Sequence, residues 1–99
     1  MKSSSGDETQ GWSFLTTYAR VLQAIAADPT VRLRDIAAQA AVTERTAAQI
    51  VRQLERVGYL TKTRNGRRNH YEIREELSLR HPNHRHRTIG ELIRFLARP

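Results

Sequence analysis

The residues with the clearest chemistry lie in the stretch TKTRNGRRNH, residues 61–70, where four side chains are cationic and none is acidic. At its centre, Asn65-Gly66 is a strong signal for a two-residue hairpin turn. Such a turn places Arg64 opposite Arg67. Because like charges that face each other across two strands are destabilising, we interpret the stretch as a binding surface for an anion. Its cations are Lys62, Arg64, Arg67 and Arg68.

Three histidines near one another offer a different chemistry. His81, His84 and His86 lie within six residues, and neutral imidazoles are ligands for zinc and nickel. The alternative is a basic loop that leads into a final helix, because a loop containing Pro82 does not impose the geometry that a metal needs. We favour the loop and expect no metal and no other cofactor.

Residues 43–57 carry a third candidate surface. Apolar side chains recur there at steps of three and four residues, which predicts an amphipathic helix. Thr43 is a favourable N-cap, and Gly58 takes the position after the helix that glycine favours. The buried side is predicted to be Ala47, Ile50, Val51 and Leu54. The outward side is then Thr43, Glu44, Arg45, Thr46, Ala48, Gln49 and Arg52.

Composition narrows the classes of function. The 99 residues are expected to form one domain, and the lack of cysteine excludes disulfides, thiol catalysis and cysteine-ligated zinc. No apolar run approaches the ~18 residues of a membrane span, and residues 1–11 lack the apolar part of a signal peptide, so we expect a cytoplasmic protein. Seventeen Lys and Arg against ten Asp and Glu give a net charge of +7. This charge favours a polyanionic partner, although an ordinary basic surface is the alternative.

The N-terminal third supplies elements that must position these surfaces. Residues 1–11 are small and polar and are expected to be disordered. From Trp12 onward apolar residues recur at helical spacing until Asp28-Pro29, where proline disfavours helical geometry in the residue before it. Residues 31–33 alternate and include a β-branched side chain, which predicts a very short strand. The apolar stripe of the first helix is Leu15, Tyr18, Leu22 and Ile25.

A second, short helix is predicted over residues 33–40, and the chain breaks near Ala41 before the helix at 43–57. Two short helices separated by about three residues are the helix-turn-helix arrangement. Beyond the hairpin, Thr88-x-x-Glu91 is a capping box that starts a last helix. The first and last helices each have an apolar stripe, and one small domain does not hide both. We therefore expect a homodimer.

Residues 32–73, RLRDIAAQAAVTERTAAQIVRQLERVGYLTKTRNGRRNHYEI, resemble the winged helix-turn-helix of small prokaryotic transcriptional regulators, most closely the MarR-like and ArsR-like groups. The resemblance extends over about residues 14–75. It implies a mainly α fold with a small β-hairpin (α+β): a three-helix core, a wing and a C-terminal helix. Residues 12–75 would be the DNA-binding domain, and residues 76–99 a basic loop and helix that contribute to dimerisation.

The sequence departs from this pattern in three places. Ala41 stands where such turns often have glycine. A left-handed alanine costs about 1–2 kcal/mol, so we expect a turn of different geometry. Arg32 is a poor N-cap for the second helix. The chain is also shorter than typical MarR proteins, so we expect the ligand cleft between their domains to be missing.

The resemblance and the charges predict a sequence-specific DNA-binding regulator. A recognition helix offers its first two turns to the major groove. There Arg45 can pair with guanine and Gln49 with adenine, while Thr43, Thr46 and Arg52 are expected at phosphates. The wing is expected to contact the backbone or the adjacent minor groove of double-stranded DNA. Its predicted contacts are Lys62, Arg64, Arg67 and Arg68.

Other classes of function fit less well. A winged-helix protein-interaction module would need apolar or acidic residues on the outer side of the 43–57 helix. An RNA-binding module would show exposed aromatic side chains, whereas Tyr59 and Tyr71 are expected in the core. No nucleophile–base pair, phosphate loop or carboxylate pair occurs at a recognisable spacing, so we expect no enzyme.

Overall fold

The computed structural model describes residues 12–97. Helices α1 (Thr17–Ala27), α2 (Leu33–Ala40) and α3 (Glu44–Arg56) precede a hairpin of strands β1 (Leu60–Asn65) and β2 (Arg68–Ile73). A 3-10 turn (Pro82–His84) and helix α4 (Ile89–Leu96) follow. The predicted fold class, three helices with a wing and a C-terminal helix, is confirmed. The predicted disordered tail, residues 1–11, lies outside the described residues, and none of the described helices is long and apolar enough to cross a membrane.

Helix α1 begins later than its apolar pattern predicts. The pattern starts at Trp12, but the helix starts at Thr17 because the hydroxyl of Thr16 accepts a hydrogen bond from the backbone N–H of Ala19 at 3.2 Å. The predicted end is confirmed, since Ala27 is the last helical residue before Asp28. The N-cap hydrogen bond, and not the apolar pattern, therefore determines where this helix begins.

The predicted short strand at residues 31–33 is wrong. Leu33 is already the first residue of α2, and Arg32 precedes it as an N-cap that makes no side-chain hydrogen bond. One backbone bond does tie the preceding loop to the hairpin, because the N–H of Tyr71 donates to the carbonyl of Pro29 at 2.9 Å. A single bond at the edge of β2 is not a strand.

The turn between α2 and α3 keeps the left-handed geometry in spite of its alanine. Ala41 has φ 61° and ψ 45° and is the only non-glycine residue with positive φ in the described part of the chain. The N–H of Val42 donates to the carbonyl of Ala37 at 3.0 Å, which satisfies the end of α2. The expectation of a different turn geometry is therefore wrong, and the protein tolerates a strained residue here.

The side chain of Arg20 stabilises this turn through hydrogen bonds to the backbone. Arg20 donates from Nε and Nη2 to the carbonyl of Ala40, at 3.2 and 3.1 Å. Its Nη1 donates to the carbonyl of Leu15 at 2.9 Å. One side chain of α1 therefore holds both the end of α2 and the segment that leads into α1.

The core lies between the three helices, the base of the hairpin and α4. The predicted buried side of α3 is confirmed, as is the burial of both Tyr59 and Tyr71. Of the apolar stripe of the first helix, Leu22 and Ile25 are buried, whereas 40% of Tyr18 is exposed. The largest side chains that are fully buried are Ile25, Ile36, Leu60 and Val21. They share one hydrophobic cluster with the buried side of α3, so α3 and the base of the wing pack against the same core.

The hairpin is present, but its register differs from the prediction. Asn65 pairs with Arg68 and Arg64 pairs with Asn69, so the central turn residues are Gly66 and Arg67. Gly66 has φ 66° while Arg67 has no positive φ, a pattern typical of a type II′ turn with glycine first. Arg64 and Arg67 therefore do not face each other, and the argument from repulsion between them is wrong.

The C-terminal helix begins as predicted. The hydroxyl of Thr88 accepts from the N–H of Glu91 at 3.1 Å, and the carboxylate of Glu91 accepts from the N–H of Thr88 at 2.8 Å. The bond from the Thr88 backbone, with a smaller contribution from Arg87, holds the pKa of Glu91 below its ordinary value. This reciprocal cap fixes where α4 starts and where the preceding loop must end.

Candidate nucleic-acid interface

Helix α3 separates a charged stripe from a buried one. At 100° per residue, Arg45, Gln49, Arg52 and Arg56 fall within about 60° of one another on the helical wheel. The residues buried in the core lie on the opposite side of the helix. Because packing fixes the back of α3, its rotation is set and the charged stripe must face outward. We call these four residues the α3 stripe.

All four members of the α3 stripe are exposed. Within residues 12–97 none of them pairs with an acidic side chain. Sequence reasoning identified Arg45, Gln49 and Arg52 but missed Arg56, which comes four residues after Arg52 on the same face. Extending the i, i+4, i+7, i+11 spacing to the end of the helix identifies it.

The two threonines predicted at phosphates have a structural role in the cap. The hydroxyl of Thr43 accepts from the N–H of Thr46 at 3.1 Å and also contacts the Thr46 hydroxyl at 3.1 Å. Thr43 is exposed, and Thr46 is half-buried. The bond stabilises the start of α3 and leaves its remaining terminal N–H groups directed toward solvent.

Three of the four wing cations have partners within the protein. Lys62 Nζ lies 3.9 Å from Glu55 Oε1 on α3, and Arg64 Nε donates to the carbonyl of Gly66 at 3.2 Å. Arg68 Nη2 donates to the carbonyl of Thr30 at 2.8 Å. All four side chains, including that of Arg67 in the turn, are exposed. The wing therefore presents positive charge to solvent, and three of its four cations also make one contact within the protein.

A cavity of about 570 Å³ lies beside the second half of α3. Gln53 and Leu54 of α3, and Val57 directly after it, line this side of the cavity. Gln53 Oε1 accepts a hydrogen bond from the hydroxyl of Tyr18 at 2.6 Å. His81 and His84 lie on the far side of the same cavity. The cavity thus places the C-terminal loop next to the recognition-type helix, which the sequence does not predict.

The loop histidines do not gather into a metal site among residues 12–97, where no group of three His, Cys, Asp or Glu has suitable geometry. The rings of His81 and His84 are 5.3 Å apart between centroids. Nδ1 of His81 accepts a hydrogen bond from the N–H of Asn83 at 3.1 Å. This nitrogen caps the 3-10 turn.

The chain is similar to one known sequence family and to one solved structure. The sequence family described as the IclR helix-turn-helix domain matches residues 18–64. The solved structure of the PcaV transcriptional regulator from Streptomyces coelicolor, in complex with its natural ligand, is similar with 31% sequence identity and a TM-score of 0.51. The similarity covers 70% of this chain and 52% of PcaV, so the chain spans about half the length of that regulator. No curated protein matches the chain in sequence.

The fold is that of a winged helix-turn-helix, and the chain is similar both to a helix-turn-helix family and to a transcriptional regulator. The predicted fold is confirmed, and the similarities agree with the predicted general function. The protein-interaction alternative required apolar or acidic residues on the outer face of α3, and the exposed face carries Arg45, Arg52 and Arg56 instead.

Proposed function

We propose that the protein binds a specific operator by inserting α3 into the major groove of double-stranded DNA. The observation that carries this proposal is the α3 stripe, which is exposed opposite a fully packed back. Arg45 would pair with guanine and Gln49 with adenine, because each matches two groups on the edge of that base. Arg52 and Arg56 would contact phosphates. Thr43 and Thr46 would add hydrogen bonds at the start of the helix, beside the N–H groups there.

The wing would contact the backbone or the adjacent minor groove. Arg67 at the turn has no acidic partner within residues 12–97, and Lys62, Arg64 and Arg68 keep exposed guanidinium or ammonium groups. Such contacts add affinity through charge and report groove width more than base identity. They complement the base contacts of α3.

We further propose a cytoplasmic homodimer of the MarR-like or ArsR-like type, with the similarity to PcaV favouring the MarR-like one. Residues 12–75 would be the DNA-binding unit, and residues 76–99 would contribute to the dimer together with α1. Phe14 and Phe95 support this, since 93% and 85% of these apolar side chains are exposed. A two-fold dimer would read an inverted repeat with half-site centres about 10 bp apart.

Selection of bound duplexes from a random-sequence pool tests the proposal. We expect enrichment of an inverted repeat, and light scattering of the complex should give two protomers per site. If a dimer neutralises about eight phosphates, log K should fall with log[salt] at a slope near −7. Failure to enrich any sequence, together with a monomer by light scattering with and without DNA, would contradict both the specificity and the dimer.

A further inference from the structure

The wing lies on one flank of α3, and a second cationic segment lies on the other. Lys62 of the wing pairs with Glu55, which falls about 90° to one side of the α3 stripe at 100° per residue. Gln53 and Val57 fall about 70–110° to the opposite side. These two residues share a cavity with Arg80, His81 and His84. The α3 stripe is therefore bracketed by two basic elements.

The composition of the second element suits a polyanion. Residues 80–87, RHPNHRHR, contain three arginines, three histidines and no acidic residue, and all eight residues are exposed. Arg87 is paired with Glu91 at 3.1 Å. In contrast, Arg80 and Arg85 have no acidic partner among residues 12–97. We call residues 80–87 the basic loop.

The basic loop is fixed in place beside α3. The 3-10 turn inside it is capped by His81, and the capping box at Thr88 ends it. On the side toward the core, the hydroxyl of Tyr59 donates to the carbonyl of Ser78, and the N–H of Leu79 donates to the carbonyl of Arg87 at 2.9 Å. A loop held at both ends loses less conformational entropy on binding than a free tail does.

On the basis of the DNA-binding function proposed above, we propose that Arg80 and Arg85 contact phosphates of the same duplex that α3 enters. The contacts would lie on the flank away from the wing. An α-helix with its side chains is about 10–12 Å across, close to the ~12 Å width of the major groove. Cations on both flanks of an inserted helix are therefore placed to meet the two phosphate chains that border the groove.

The test compares two double variants of the full chain that each remove two positive charges. R80A/R85A removes the proposed contacts. R74A/R94A is the matched control, because Arg74 and Arg94 are exposed arginines paired with Glu76 and Glu75 and belong to neither α3 nor the wing. Binding to a labelled 30-bp random-sequence duplex, and to the operator recovered by selection, is measured by fluorescence anisotropy at increasing KCl concentrations. Thermal unfolding followed by circular dichroism shows whether each variant remains folded.

We expect R80A/R85A to reduce the magnitude of the salt slope by about 1.8 per protomer, at 0.9 for each lost phosphate contact. R74A/R94A should leave the slope within error. R80K/R85K should restore it, because lysine keeps the charge at phosphate. If R80A/R85A does not fold, R80Q/R85Q replaces it with a polar side chain of similar reach.

The outcomes separate the two proposals. A wild-type protein that binds DNA and an R80A/R85A slope equal to that of R74A/R94A would overturn the role of the basic loop while leaving the α3 function intact. Equal losses in both double variants would show a general charge effect and would also overturn it. A wild-type protein that binds neither duplex would overturn the DNA-binding function and the basic-loop contact together.

Discussion

The α3 stripe and the wing both present cations, but they differ in how much of that charge the fold uses. The members of the stripe have no acidic partner among the described residues, and the opposite face of their helix packs in the core. In the wing, Lys62 and Arg68 contact residues outside the hairpin, and Arg64 contacts the turn of the hairpin itself. Substitutions on the stripe should therefore change DNA binding alone, whereas those at Lys62, Arg64 and Arg68 should change binding and stability together.

The largest difference in stability is expected between a substitution on the buried face of α3 and one on its exposed face. Ile50, which is 6% exposed, packs in the core, and Ile50→Ala should lower the free energy of unfolding by about 2–5 kcal/mol. Arg52→Ala, two residues away on the exposed face, should change it by less than about 0.5 kcal/mol. Urea unfolding of both variants measures the difference. Similar losses would show that the front of α3 is also structural.

Loss of Arg45 is the next largest effect, and it should appear only in binding. Arg45→Ala removes a bidentate contact with a base, so affinity for the selected operator should fall by about 1–3 kcal/mol. Binding to a scrambled duplex should change much less. Fluorescence anisotropy with both duplexes measures the ratio of the affinity for the operator to the affinity for the scrambled duplex. An equal loss on both would mean that Arg45 contacts phosphate and does not read a base.

Two neighbouring arginines test the wing. Arg68→Ala should lower stability by about 0.5–1.5 kcal/mol because the hydrogen bond to the carbonyl of Thr30 is lost. Arg67→Ala should leave stability unchanged. Each should flatten the salt dependence of DNA binding by about 0.9 per protomer. If Arg67→Ala destabilises the fold as much as Arg68→Ala does, the distinction between free and engaged wing cations is wrong.

The smallest changes in stability are expected in two turns, the one before α3 and the one at the tip of the wing. Ala41→Gly relieves a left-handed alanine and should raise the free energy of unfolding by about 0.5–1 kcal/mol, after the entropy cost of glycine in the unfolded chain. Gly66→Ala places a side chain at a positive φ of 66° in the turn of the wing, at a position that favours glycine, and should lower stability. Thermal melts of the two variants should shift in opposite directions. A shift of the same sign would contradict the assigned turn geometry.

The fold was predictable from the sequence where one local signal dominates. The helical spacing of Ala47, Ile50 and Leu54, the cap at Thr43 and the capping box at Thr88 gave α3 and α4 their correct faces and first residues. The start of α1 was wrong because the Thr16 cap competes with an apolar pattern that begins earlier. Local chemistry decided these boundaries.

The candidate site was less predictable because its geometry depends on contacts distant in sequence. The hairpin register could not be read from Asn65-Gly66, since Gly66-Arg67 forms an equally compact turn with glycine first. The pairing of Arg68 with the carbonyl of Thr30 joins residues 38 positions apart. The position of the basic loop beside Gln53 likewise depends on how the C-terminal segment packs, which no local pattern specifies.

Arg20 gives the fold a further property. Its guanidinium bonds to the carbonyl of Leu15 ahead of α1 and to that of Ala40 at the end of α2. One side chain therefore joins two segments that are 25 residues apart in the sequence. Loss of this one side chain would therefore free two places at once: the segment ahead of α1 and the end of α2, next to the turn that precedes α3.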